Sequence, residues 1–255
     1  MVYADLHVHT TRSDGSLAPD AVADAATAAD VSVVGLTDHD QVPPFSGYYR
    51  ADDVTIVSGI ELRVEADDGT RVDLLGYGLE STPALEAETA RIQRNRRERG
   101  QAIVDCVEDR LEINLEIDVG HGFGRPHIAR AIDAHPHTDY DYHRAFSDLI
   151  GSGGPCYRPR EIPSFERGRT LLADACQLVS LAHPLRYADP EGALELTAQL
   201  DAVERYYPYG RPVDPAPVDR AIERYGLLET GGSDAHDDQL GRSGLNRAAF
   251  DRLKL

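Results

Sequence analysis

The chain has 255 residues, and its 44 acidic and 26 basic side chains give a formal net charge of −18. A protein that binds duplex nucleic acid through its phosphates needs a basic face, so this charge argues against a duplex-binding protein. No apolar stretch approaches the roughly 18 to 20 residues of a membrane-spanning helix, and the N-terminus lacks the basic and apolar segments of a secretory signal. With 41% hydrophobic residues, the sequence predicts a globular, cytoplasmic protein without a membrane partner.

The excess of acid comes with a near absence of lysine, since Lys254 is the single lysine in the sequence. In strong salt, screening shortens to a few ångströms, so a protein tolerates this much self-repulsion. We interpret the charge as halophilic adaptation, the alternative being an ordinary acidic surface with a coding bias toward arginine. Cys106, Cys156 and Cys176 form no CxxC pair, which predicts free thiols in a reducing cytosol.

Short β-type runs alternate with helical patterns along most of the chain. Strands are predicted at 3–7, 31–37, 54–60, 71–76, 177–182, 202–206 and 227–230. Helices are predicted at 19–30, 85–111, 191–200 and 218–225. Several strands are almost continuously apolar, which is typical of parallel strands covered on both faces. The alternation predicts an α/β fold with a parallel sheet, either open or closed into a barrel.

The alternation breaks between about residues 82 and 166. Here the pattern is helical, with interruptions rich in glycine and proline at 120–126 and 151–163. We interpret this segment as a helical insertion between predicted strands four and five. The predicted organisation is therefore a barrel formed by residues 1–81 and 167–255, with an insertion at 82–166 that contributes to the substrate pocket.

Residue types that bind metals stand at or near the ends of successive predicted strands. They are His7, His9, Asp14, His39, Glu61, Asp73, His183, Asp234 and His236. His7 and His9 are two residues apart, so on a strand both rings point to one side and can bind one divalent ion. The carboxyl ends of parallel strands meet at the edge where such folds place their sites. Imidazoles and carboxylates without thiolates favour zinc, manganese or iron, or a hard site of the manganese or magnesium type.

These residues belong to segments that resemble the polymerase and histidinol phosphatase (PHP) superfamily of metal-dependent phosphoesterases. The matching segments, in the order of that family, are Asp5–Thr10, Ser13–Ser16, Leu36–Asp40, Gly59–Glu61, Leu181–Pro184 and Gly232–His236. Two further segments, Gly124–Arg130 and Gly154–Pro159, are similar to the stand-alone branch that includes nucleotide phosphatases and a 5′-to-3′ exoribonuclease.

The resemblance implies a distorted (β/α)7 barrel that holds two or three divalent ions, commonly manganese, zinc, iron or magnesium. Carried over position by position, it implies one ion held by His7, His9, Glu61 and Asp234. Glu61 would bridge to a second ion held by Asp73 and His183. A third ion would be held by Asp14, His39 and His236.

Two positions depart from the family pattern. Relatives usually carry histidine where this chain has Asp73, which is either a shorter ligand or a solvated strand residue. Relatives also often carry a lysine near Gly154, which is absent here, so that Arg158 or Arg160 would supply the charge. The affinity and identity of the second ion are therefore open at this point.

The implied reaction is hydrolysis of a phosphate ester by a metal-bound hydroxide that attacks phosphorus in line. Arginine is the natural additional clamp because its planar fork matches two phosphate oxygens, and Arg125 and Arg158 are the candidates. His127 either binds phosphate or protonates the leaving group, or is a structural residue at a helix start.

The predicted substrates are nucleotides or short oligonucleotide ends, and the predicted partner is a small phosphorylated molecule or a single-strand end. One alternative is a phosphatase of a small metabolite similar to histidinol phosphate. The other is a metal-binding domain without catalysis.

Overall fold

The structure is a computed structural model that describes residues 1–120 and 123–255. Its strands are β1 (Ala4–Val8), β2 (Val33–Leu36), β3 (Tyr48–Ala51), β4 (Val54–Glu65), β5 (Arg71–Tyr77), β6 (Leu178–Leu181), β7 (Ala202–Tyr206) and β8 (Leu228–Gly231). Its α-helices are α1 (Val22–Ala28), α2 (Pro83–Leu111), α3 (Arg125–Ala134), α4 (Tyr142–Arg144), α5 (Phe165–Ala175), α6 (Pro190–Glu195), α7 (Ala216–Tyr225) and α8 (Arg247–Phe250). The Gly/Pro-rich interruption at 120–126 is described except for residues 121 and 122.

The strands form one sheet in the order β1-β2-β4-β5-β6-β7-β8, with β3 paired to β4. β1, β2 and β4 are parallel, and so are β6, β7 and β8. The strands β1, β2 and β6 are buried along their whole length. This burial explains why β2 and β6 are almost continuously apolar, whereas β1 alternates and buries the polar Asp5 and His7.

The fully parallel sheet that the alternation predicts is wrong at β5, which is antiparallel to both β4 and β6. β4 continues to Glu65, five residues beyond its predicted end, and leaves only residues 66–70 before β5. A parallel crossover needs a dozen or more residues, so this short connection forces a hairpin. β3, an edge strand with three exposed residues, was not predicted from the sequence.

The two ends of the sheet approach each other. The His9 N–H donates to the Ala235 carbonyl oxygen at 2.9 Å, which links the chain after β1 to the chain after β8. The fold is therefore a mixed α/β fold with a curled, barrel-like sheet. The curl places the carboxyl ends of β1, β2, β6, β7 and β8 around a common centre.

The chain divides into two compact units. Residues 1–89 and 162–255 form the strand unit, and residues 90–161 form the helical unit. In the helical unit, Ile103, Ile128 and Leu149 pack in a buried core that also contains Cys156. None of the described helices is long and apolar enough to cross a membrane.

The expectation of three free thiols is wrong for two of them. Cys106 and Cys156, both in the helical unit, form a disulfide with a Cα–Cα distance of 5.6 Å. Sequence spacing could not show this pair because 50 residues separate its members. Cys176 is free. The disulfide removes one support for the reducing cytosol predicted from the cysteines.

Candidate metal centre

The structure gathers all nine predicted ligand residues in the strand unit, in three groups that share members. Within each group, one nitrogen or oxygen atom per residue lies within 4.8 Å of the others. The groups are His7, His9, Glu61 and Asp234; His9, Asp14, His39 and His236; and Glu61, Asp73 and His183.

The first group surrounds a crowded carboxylate. Glu61 Oε2 lies 3.4 Å from His7 Nε2, 3.2 Å from His9 Nε2 and 2.9 Å from His39 Nδ1. Despite these short distances, this buried oxygen makes no well-aligned hydrogen bond, and neither does the buried His9 Nδ1. Asp234 Oδ1 lies 3.1 Å from His9 Nε2 on the other side. Buried nitrogen and oxygen ligands that converge without satisfying one another fit a divalent cation.

The second group is open to solvent. Asp14 is 49% exposed and His236 is 40% exposed, whereas His9 is fully buried. Asp14 Oδ1 lies 3.3 Å from His236 Nε2, and Asp14 Oδ2 lies 3.8 Å from His39 Nε2. An ion held here would face solvent.

The third group contains Asp73, which is fully buried. The alternative of a solvated strand residue is therefore wrong. Glu61 Oε1 lies 3.0 Å from His183 Nε2, and Asp73 Oδ2 lies 3.7 Å from the same nitrogen. Both Asp73 carboxylate oxygens accept hydrogen bonds from Arg63.

Unusual backbone conformations position several of these side chains. His183 and Asp234 have positive φ angles of 30° and 51°, in the left-handed region that non-glycine residues seldom occupy. A Cβ on Gly15 would collide with the His9 carbonyl oxygen, and a Cβ on Gly232 would collide with the His7 nitrogen. These two glycines let the loops that carry Asp14 and Asp234 pass close beneath β1.

Buried carboxylates hold the ligand-bearing segments in place. Glu204 Oε1 lies 3.0 Å from His7 Nδ1, which turns the other ring nitrogen toward the first group. Glu204 Oε2 also accepts from the His183 backbone N–H at 2.7 Å. Asp5 accepts from the backbone N–H and the hydroxyl of Ser233. The sequence analysis did not single out Glu204, although a glutamate inside a predicted buried strand was an available signal.

Two arginines that the sequence analysis missed line the cavity of about 190 Å³ at this site, together with seven of the predicted ligands. They are Arg63 and Arg186. Arg186 Nη1 donates to Asp234 Oδ2 at 3.0 Å and to the Tyr207 hydroxyl at 2.9 Å. Tyr207 donates to the same Asp234 oxygen at 2.7 Å. Arg63 stands two residues after Glu61 on the same strand, so period-two alternation could have identified it.

The electrostatics of the site pair imidazolium with carboxylate. Burial lowers the pKa of His39, but Glu61, Asp14 and Asp40 raise it, to about 9 in total. Burial likewise lowers the pKa of His7, and Glu204 and Glu61 raise it well above its ordinary value. Burial raises the pKa of Glu61, whereas His39, His7 and His183 lower it, with a net result well below the ordinary range. The cluster therefore binds positive charge strongly, whether as protons or as metal ions.

The predicted phosphate-binding residues lie in the helical unit. The Arg125 guanidinium carbon lies 5.8 Å from the ring centroids of both Phe146 and Tyr157. Arg158 Nη1 donates to the Tyr157 carbonyl oxygen at 3.0 Å. His127 Nδ1 accepts from the Gly124 N–H at 3.2 Å at the start of α3. One ring nitrogen of His127 is therefore occupied by a hydrogen bond at the start of α3. A role of His127 in catalysis stays a prediction.

Comparisons with known proteins identify the relatives of this chain. The PHP domain model matches residues 5–183. A phosphoribosyl 1,2-cyclic phosphate 1,2-diphosphodiesterase of Eggerthella lenta is 28% identical, over 91% of this chain and 93% of that protein. A 3′,5′-nucleoside bisphosphate phosphatase of Chromobacterium violaceum is 26% identical, over 92% of this chain and 88% of that protein. The 5′-3′ exoribonuclease Rnm of Escherichia coli is 27% identical, over 73% of this chain and 67% of that protein.

The fold is also similar to a solved structure from Bifidobacterium adolescentis. The TM-score is 0.75 at 21% identity, and the match covers 98% of this chain and 94% of that one. The relatives confirm the predicted resemblance and the predicted class, a hydrolase of phosphate esters. Because the family model spans more than half of the sequence, the chain belongs to the PHP domain family.

Proposed function

We propose that this chain hydrolyses a phosphate ester on a phosphorylated ribose, in a small nucleotide or at the end of a single strand. The observation that carries this proposal is the sharing of His9 and Glu61 among the three ligand groups. Ligand groups that share members suit neighbouring ions that act on one phosphate. The names of the three relatives support a ribose phosphate, since they specify a phosphoribosyl diester, a nucleoside bisphosphate and RNA.

The imidazoles and carboxylates of the first two groups fit manganese, zinc, iron or magnesium. Divalent ions bound here would supply a nucleophile at neutral pH and would offset charge on the phosphoryl oxygens. The protein's own part is to fix the ligands. Glu204 orients His7, while Arg186 and Tyr207 hold Asp234 Oδ2 so that Oδ1 faces the imidazoles. Fixed ligands need little rearrangement as the transition state forms.

We assign Arg125 and Arg158 to phosphate recognition within the helical unit. Arg99 supports this assignment because its Nε donates to the Arg158 carbonyl oxygen at 2.7 Å, which brings a further guanidinium to the same segment. Burial lowers the pKa of Arg99, and the positive charges of Arg125 and Arg160 lower it further. Crowded guanidinium groups in a chain of charge −18 are stabilised by an anion.

The test is a substrate panel for the manganese-reconstituted protein. It contains a 3′,5′-nucleoside bisphosphate, a nucleoside monophosphate, a cyclic ribose phosphodiester, a short RNA and histidinol phosphate. We expect release of phosphate or nucleoside monophosphate from a ribose-containing substrate, and its loss in Asp234→Ala. The matched control is Asp237→Ala, three residues on at an exposed ion pair with Arg242. Hydrolysis of histidinol phosphate alone, or activity that survives complete metal removal, would contradict the proposal.

We also propose that the acidic surface is an adaptation to concentrated salt in the cytoplasm. The support is the formal charge of −18 with a single lysine. Screening of carboxylate repulsion should raise the melting temperature as potassium chloride is raised from about 0.1 to 2 M. A melting temperature that stays constant over this range would contradict salt adaptation.

A further inference from the structure

Arg63 and Asp73 form an ion pair at the metal centre. The two residues face each other across the antiparallel pair of β4 and β5. Arg63 Nε lies 2.5 Å from Asp73 Oδ1, and Arg63 Nη2 lies 2.5 Å from Asp73 Oδ2. The Asp73 side chain is 1% exposed and that of Arg63 is 37% exposed. This is the parallel two-point geometry in which a guanidinium satisfies a carboxylate most completely.

Asp234, an aspartate of the first ligand group, also contacts an arginine, but its two oxygens are used differently from those of Asp73. Its Oδ2 is held by Arg186 and Tyr207, while its Oδ1 faces the imidazoles of His7 and His9. Asp234 therefore combines an arginine contact with one oxygen directed at the other ligands. Asp73 has both oxygens directed at one guanidinium.

The surroundings fix Asp73 in this arrangement. Its backbone N–H donates to the Tyr187 hydroxyl at 2.9 Å, and that hydroxyl donates to the Ala182 carbonyl oxygen at 3.1 Å. An ion bound among Glu61, Asp73 and His183 would displace at least one Arg63 hydrogen bond and would lie beside a positive charge. Like charges at such a short distance repel, and the buried Asp73 side of the pair is poorly screened by water.

We propose that Arg63 replaces a metal ion in the Glu61–Asp73–His183 group, so that this chain holds two divalent ions, in the other two groups, and not three. This assignment rests on the proposed function only in requiring that the centre binds metal. Arg63 lines the cavity, and its guanidinium offsets negative charge there as an ion would. A guanidinium cannot activate water, so the nucleophile must come from the two remaining positions.

The test counts ions in the full-length protein. Metal-free wild type and Arg63→Met are dialysed to equilibrium against manganese, and bound manganese is measured by mass spectrometry. We expect two ions per chain in the wild type and three in Arg63→Met, because removal of the guanidinium frees both Asp73 oxygens. The matched control is Arg71→Met, which breaks the Arg71–Glu65 pair between the same two strands, at 2.6 Å and exposed. It should still hold two ions.

Arg63→Met leaves the buried Asp73 carboxylate without its partner, which can prevent folding. A second variant therefore tests the same inference. Arg63→Ser combined with Asp73→His removes both charges and provides an imidazole, and it too should bind three ions. A wild-type count of three would overturn the proposal. So would a count below two, or two ions in both folded variants. No substrate is involved, so a catalytically inactive protein with two ions would refute the proposed function and leave this inference intact.

Discussion

The strand unit gathers carboxylates at its candidate site, whereas the helical unit gathers guanidinium groups at its own. In the strand unit, buried carboxylates such as Glu61 and Asp73 converge with imidazoles, and burial alone would leave their negative charge unbalanced. In the helical unit, Arg99, Arg125 and Arg158 gather around one segment, and their contacts are carbonyl oxygens and aromatic rings. The first arrangement is stabilised by cations and the second by anions. The net charge of −18 therefore does not indicate which ions either site attracts.

This difference separates two roles that a phosphoesterase needs. Divalent ions held by the strand unit would supply the nucleophile and offset charge at phosphorus, so loss of their ligands should remove the chemical step. The proposed guanidinium cluster would hold phosphate in both the ground state and the transition state, so its loss should weaken binding. Substitutions in the two units should consequently change different kinetic constants.

The largest effect is expected from His9→Ala. His9 belongs to two ligand groups, so its removal weakens two ion sites together. We expect kcat to fall by roughly 1000-fold or more, as when a metal or an essential base is lost, and the number of bound ions to fall with it. Steady-state kinetics and metal analysis check both results. His137→Ala, an exposed histidine of the helical unit, is the control, and equal losses in the two variants would contradict the assignment.

A smaller effect, of a different kind, is expected from Arg125→Ala. The loss of charged hydrogen bonds of about 1.5–3 kcal/mol corresponds to a KM roughly 10- to 100-fold higher, with kcat changed much less. Arg125→Lys keeps the positive charge but loses the planar guanidinium that can bind two phosphate oxygens, so it should recover only part of the binding. If Arg125→Ala lowered kcat and left KM unchanged, Arg125 would act in the chemical step, and the proposed difference in role between the two units would be wrong.

Metal affinity should depend on pH with a predictable sign. The pKa of His39 is about 9 in the metal-free protein, and only the neutral imidazole binds an ion. Between about pH 6.5 and 8.5 an ion must displace this proton, so manganese affinity should rise up to about tenfold per pH unit and level off above pH 9. Calorimetry in buffers of different ionisation enthalpy counts the protons released. Affinity that stays constant over this interval, or an unchanged proton count in His39→Gln, would show that His39 is not a ligand.

The two units also differ in how far the sequence predicted them. Most of the candidate ligands could be predicted because they follow the carboxyl ends of parallel strands, where chain direction fixes the location whatever the details of packing. Glu61 and Asp73 are different, because Glu61 lies inside β4 and Asp73 lies near the amino end of the antiparallel β5. Period-two alternation from Glu61 could have placed Arg63 at the site, but its pairing with Asp73 could not be predicted, because that pairing depends on the hairpin between β4 and β5. The sequence predicted a parallel crossover there, which would have placed the two residues differently. Long-range pairs of this kind carry no local pattern.

The Cys106–Cys156 disulfide is the clearest example of a contact that the sequence does not predict, because its members are 50 residues apart. Its reduction also tests whether the two units can be perturbed separately. A disulfide stabilises chiefly by restricting the unfolded chain, by about 2–4 kcal/mol for typical loops. Reduction should therefore lower the melting temperature of the helical unit by several degrees and weaken substrate binding. Metal binding should stay unchanged, because all nine predicted ligands lie in the strand unit.

Differential scanning calorimetry with and without reductant measures this effect. Cys106→Ser should melt at the lower temperature in both conditions, whereas Cys176→Ser, at the free thiol, should respond to reductant as the wild type does. If reduction released metal ions as well, the two units would have to be regarded as one cooperative structure, in which loss of order around the arginines spreads to the ligands. If it weakened only substrate binding, the cation-binding and anion-binding sites would be separable in energy as well as in sequence.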